Sequence, residues 1–148
     1  MELLAVLALL GSGLTAGVLF AVALSVLPAL IAMPTERYVY AHKLIGRNWD
    51  PTMPVIVLTS TLADAVLTFL APAKAATLFG VAAFVLLGVS VVSHFCNVPI
   101  NRRVKSVDPD AIPSDWQDPR PLWRRWHLLR TFLSVVGLLL NGTALLLI

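Results

Sequence analysis

Charge is what this chain most lacks. Of its 148 residues only 13% are Asp, Glu, Lys or Arg, against 58% hydrophobic. A soluble domain of this length surrounds one core with a charged surface; this composition cannot build one, so a membrane protein is expected. Cysteine is nearly missing too. Cys96 stands alone, which excludes an intrachain disulfide and any multi-cysteine metal site and leaves the thiol as a small apolar packer. The start, Met1-Glu2-Leu3-Leu4, has no basic segment of the secretory-signal kind, and the apolar run behind it is too long for a signal core, so it reads as a retained span. Porin-like alternation of apolar and polar residues is also absent, which leaves helices as the way to satisfy a backbone in lipid.

Four apolar stretches are present, each near the ~20 residues a helix needs to cross a bilayer. They cover approximately residues 3–33, 53–71, 75–98 and 126–148, and they predict one all-α, four-helix transmembrane domain over residues 1–148. Pro72 and Lys74 mark a tight turn, so the second and third helices are antiparallel neighbours. Loops are expected at 34–52 and 99–125. The net charge of +3 comes from basic residues that flank the spans and do not form a patch on a soluble fold. This suits lipid head groups and orientation signals and argues against a nucleic-acid partner. Only Lys74 of the eleven Lys and Arg residues lies away from those two loops. The positive-inside rule therefore puts both loops in the cytoplasm and both termini on the other side of the cell membrane.

This topology gathers His42, His94 and His127 at one membrane level. Spacing of three and four places Gly80, Ala83, Leu87, Ser90, His94, Asn97 and Asn101 on one face of the third helix, and His127, Arg130, Ser134, Gly137 and Asn141 on one face of the fourth. Ser60, Thr61, Asp64 and Thr68 form the stripe of the second. Gly13 and Gly17 give the first helix a GxxxG pair for close packing. Asp64 lies roughly 15 Å beyond Pro54 at 1.5 Å per residue, near mid-bilayer, where a lone carboxylate is costly. It is read either as a hydrogen-bonded packing residue or as a proton relay or counter-ion. Trp123 and Trp126 read as interfacial belt residues, with Trp126 the alternative wall of an aromatic pocket.

Three segments resemble the anthrone oxygenase family: Gly17-x-x-Phe20 with Pro28-Ala29-Leu30, then Asn97-Val98-Pro99-Ile100-Asn101, then Trp123-x-x-Trp126-His127-x-x-Arg130-Thr131. The resemblance implies oxidation of a lipophilic, anthrone-type aromatic by dioxygen, without flavin or haem. Such chemistry needs a base for an acidic carbon–hydrogen bond, a stabiliser for the resulting enolate oxygen, and a dry aromatic pocket. On this reading His127 or His94 is the base. Arg130, Asn97 and Asn101 stabilise the oxyanion, Phe95 and Trp126 pack on the substrate, and Asp64 contributes from deeper in the bundle. A second chemistry stays open, in which His42, His94 and His127 bind one metal ion.

Two other functions remain in view: a non-catalytic partner subunit, alone or as a homo-oligomer, and a transporter. The three differ in what they require. An enzyme needs a pocket holding His94, His127 and Arg130, a packing subunit needs those groups to satisfy one another without a cavity, and a transporter needs an aqueous path to Asp64.

Overall fold

A computed structural model describes all 148 residues. It contains four long helices: α1 (Glu2–Ala32), α2 (Thr35–Leu70), α3 (Ala73–Lys105) and α4 (Arg120–Leu145). Each is long and apolar enough to cross a membrane, and there is no strand. The helices form a ring, each packing on the next and α4 closing on α1. The exterior is an apolar belt in which Leu62, Phe69, Phe84 and Leu139 lie open, as a lipid-solvated bundle requires. This is a multi-pass membrane protein.

The helices run further than hydropathy alone suggests. Segment 34–52, expected as a loop, is helical from Thr35 as the first half of α2. In the 99–125 segment only the stretch between Lys105 and Arg120 is non-helical. At 1.5 Å per residue α2 is about 54 Å long, well beyond a ~30 Å hydrocarbon core. Hydropathy ends a span where polar residues begin, but polar residues continue a helix freely in water or against a neighbour. Pro51 and Pro54 lie inside α2 without ending it.

α1 and α3 each contain one π-helical turn, at Val22–Val26 and Ser93–Asn97. In both helices a proline, Pro28 or Pro99, follows two residues after the turn. Proline lacks an N–H and its ring crowds the carbonyl four residues back; a widened turn relieves that conflict. The extra residue also rotates the helix register. On α3 the buried stripe is Phe79, Ala82, Leu86 and Val89, and it resumes eight residues later at Asn97. Eight residues at 100° would miss the face by about 80°, whereas the inserted residue restores it. The single stripe expected from the sequence is thus displaced by one position in its first half, where Leu87 is exposed.

Close helix contact falls on different glycines from those the GxxxG pair suggested. Gly17 is exposed, with nothing within 4 Å of a Cβ built there. Gly11 is the close point: a Cβ there would sit 1.9 Å from Ser60 Oγ on α2. The basic end is closed by Arg120, whose Nη1 donates to the carbonyls of Leu30 (3.0 Å) and Met33 (2.6 Å) at the end of α1. The same guanidinium lies over the Tyr38 ring, and the carboxylate of Asp118 pairs with it. Val104 and half-buried Trp116 pack in the adjoining apolar cluster.

Candidate functional site

A cavity of about 640 Å³ lies inside the basic half of the bundle, lined by all four helices. Both π turns border it: Val22 and Val26 come from α1, Ser93 and His94 from α3. Its mouth lies between α2 and α3, where the lining residues Trp49, Leu58, Val91 and Phe95 are exposed, Phe95 at 71%. The neighbours of this opening are tied on either side. Asn101 and the Lys105–Asp50 ion pair join α2 and α3 nearer the basic end, and Gly80 meets Thr68 nearer the other.

α4 supplies the polar wall. Trp123, His127 and Arg130 share one helical face, and all three line the cavity. The His127 ring is fully buried and stacked on Trp123, with centroids 5.1 Å apart and planes 12° off parallel. Its Nε2 donates to the Leu19 carbonyl at 3.0 Å. A carbonyl can only accept, so the hydrogen of the neutral ring sits on Nε2, and Nδ1 carries the lone pair. Arg130 donates to that Nδ1 from Nε (3.2 Å) and Nη2 (3.0 Å), and from Nη1 to Ser93 Oγ (3.2 Å). No carboxylate pairs with Arg130; the ion pairs of the chain are Lys105–Asp50 and Arg120–Asp118.

His42, on α2, completes the row. Trp123 Nε1 can only donate, and it does so to Asn101 Oδ1 at 2.9 Å. That fixes the Asn101 amide, so His42 Nε2, 3.2 Å from the same oxygen, must donate as well. Its Nδ1 therefore carries the lone pair and has no hydrogen-bond partner in the chain. The ring meets Tyr38 and Trp123 edge to face. The wall thus runs His42, Trp123, His127, Arg130, with one unengaged imidazole lone pair and one cation without a counter-ion.

The other residues expected at a site are placed as follows. His94 lines the cavity from its exposed side, with its ring edge-on to Phe95 at 4.9 Å. Asn97 is fully buried behind the wall and donates to the Trp123 carbonyl at 3.4 Å; it does not line the cavity. Trp126 does not line it either, because it is one residue off the face that carries Trp123 and His127. Asp64 belongs to a separate buried cluster, in which Asn141 Nδ2 donates to Asp64 Oδ2 and to Ser12 Oγ, both at 3.2 Å. The three histidines border one space, yet no group of three or more His, Cys, Asp or Glu side chains is close enough to hold a metal ion.

Sequence reasoning missed Trp123 as a wall residue and His42 as anything other than a metal donor. The signal for Trp123 was available: it lies four residues before His127, hence on its face. His42 carried no such signal, because its segment was expected to be a loop or an extension of the first helix.

Four apolar spans around a cavity with a polar inner wall define a multi-pass membrane protein. The anthrone oxygenase family model matches residues 42–140, which is most of the chain, and the chain belongs to that family. The match includes every wall residue named on α2, α3 and α4, while the resembling segment of α1 lies outside it. No curated protein and no solved structure matches the chain.

Proposed function

We propose that this protein is an oxygenase of the cell membrane that oxidises a lipophilic, anthrone-type aromatic with dioxygen, and that deprotonation in the α2–α4 cavity starts the reaction. The observation that carries this reading is the unengaged His42 Nδ1 in the same wall as the uncompensated Arg130 guanidinium. A cavity of this kind is also what a subunit that served only for packing would lack.

His42 is the proposed base. Asn101 holds its Nε2–H, which points the lone pair of Nδ1 away from that bond. His127, which the sequence offered as the base alongside His94, has its only lone pair occupied by Arg130, so its proposed role is to orient the guanidinium. His42 Nδ1 takes a proton from the carbon between the two rings of an anthrone, and the charge moves to the carbonyl oxygen, where Arg130 stabilises it. The enolate carbon transfers electrons to dioxygen and forms a carbon–oxygen bond, and the peroxide regains the proton from His42. Loss of the second hydrogen from that carbon with cleavage of the oxygen–oxygen bond gives the quinone carbonyl and water. One anthrone and one dioxygen thus give one anthraquinone and one water, with no external reductant.

The apolar mouth between α2 and α3 suits a substrate that arrives through the bilayer. The excess of Arg and Lys at this end supports a cytoplasmic position for it, with both termini opposite. Purified protein in lipid nanodiscs is expected to form anthraquinone from anthrone with matching oxygen uptake, in the presence of a chelator as in its absence. No acceleration over empty nanodiscs would refute the reading.

A further inference from the structure

The lining of this cavity has a charge imbalance that an anthrone, a neutral molecule, does not answer. Arg102, Lys105 and Arg130 border the cavity against a single carboxylate, Asp50, which Lys105 already pairs. Arg130 is the cation inside. Of its five N–H donors, three are engaged: Nε and one on Nη2 by His127, one on Nη1 by Ser93. Two remain, one on each terminal nitrogen. Donors of this kind match oxygens that carry negative charge. A buried charge without a partner is costly, and the one carboxylate whose charge reaches Arg130, Asp50, is held in the ion pair with Lys105.

We propose that the natural ligand of this cavity is a lipophilic organic acid, bound as its anion with one carboxylate oxygen on a free N–H of Arg130, the other free N–H being left for the carbonyl oxygen of the reacting ring, and its apolar body directed toward the mouth between α2 and α3. His127 and Ser93 act as positioning residues that hold the guanidinium open for it. The carboxylate would leave the carbon skeleton along Trp123 and His42, where the apolar lining continues. This assignment rests on the reading of the cavity as the substrate site, but not on oxygen chemistry, and it is tested by binding alone.

The probes are anthracene-9-carboxylate and its methyl ester, which share one planar ring system and differ in charge. Binding to the full-length protein in neutral-lipid nanodiscs is followed by probe fluorescence and Trp quenching. The acid is expected to bind at least tenfold more tightly than the ester after correction for partition into empty nanodiscs. Arg130→Gln is expected to remove that preference while ester binding persists. Arg102→Gln is expected to retain it, because that residue lies at the exposed rim. Equal binding of acid and ester by the unmodified protein overturns the proposal without any variant. A preference that survives Arg130→Gln, or that Arg102→Gln abolishes, overturns it too, since the charge would then be read at the rim. Acid binding without quinone formation would support this assignment and count against the oxygenase reading. Quinone formation from a neutral anthrone without acid preference would do the reverse.

Discussion

At the residue scale, the wall depends on hydrogen-bond logic that fixes which imidazole is free. Trp123 and Asn101 determine the tautomer of His42, and Leu19 determines that of His127. His42→Ala is expected to lower turnover by about 10²–10⁴-fold, the usual contribution of a positioned base, with little change in ligand affinity. Steady-state quinone formation and probe binding together check this split. Two glycines give a matched pair of stability predictions. Gly11→Ala places a Cβ 1.9 Å from Ser60 Oγ and 3.2 Å from Ser60 Cβ, and should cost about 1–3 kcal/mol by overpacking. Gly17→Ala meets nothing within 4 Å and should stay within about 0.5 kcal/mol. Unfolding in mixed micelles measures both. The reverse order would restore the GxxxG pair as the packing contact.

At the element scale, the π turns of α1 and α3 place the site. The turn of α3 brings Ser93 Oγ to α4, the carbonyl of Leu19, three residues before the turn of α1, also meets α4, and each turn resets the register for the residues that follow. Pro99→Ala supplies the missing N–H and removes the steric reason for the wide turn. It is expected to weaken ligand binding more than it weakens the fold, read by comparing probe affinity with thermal midpoint. The α4 face from His127 onward was legible in the sequence, because His127, Arg130, Ser134, Gly137 and Asn141 keep an unbroken spacing. The α3 face was not: one inserted residue is invisible to a period of 3.6, so Leu87 was placed inside and Leu86 was missed. Trp126 was preferred to Trp123 for a related reason, since a belt position and a wall position look alike when only depth is considered.

The segment between α3 and α4 gives a pH prediction. The hydrogen bond from the Arg120 side chain holds the Asp118 carboxyl below the usual carboxylate range, against a smaller opposing effect of burial. A carboxyl lowered by folding contributes stability that is present above its unfolded value, about 3.9, and lost as pH falls through the lowered one. Acidification below about 4 should therefore loosen the cap that Arg120 places on α1 and shift the emission of Trp116 nearby. Asp118→Asn should show the loosened state already at neutral pH, with no further acid step from this group.

For the whole molecule, composition alone was enough to identify a four-span membrane protein, because lipid solvation leaves few alternatives. What composition could not give was how far the helices extend beyond the lipid. Half of α2 is polar and helical, and it carries His42 into the wall. Orientation rests on the lopsided placement of Lys and Arg. In a Cys96→Ser background, a cysteine introduced at Ala73 should react with an impermeant thiol reagent on intact cells, and one at Ser114 only after permeabilisation. The opposite pattern would invert the topology and put the basic end outside.

The central claim is that this cavity removes a proton from a lipophilic aromatic. Deuterium incorporation at the anthrone methylene carbon, followed anaerobically in D₂O with protein in nanodiscs, isolates that step from reaction with oxygen. The account predicts exchange faster than in empty nanodiscs, lost in His42→Ala and reduced in Arg130→Gln. Exchange no faster than the background, or unchanged in His42→Ala, would contradict it.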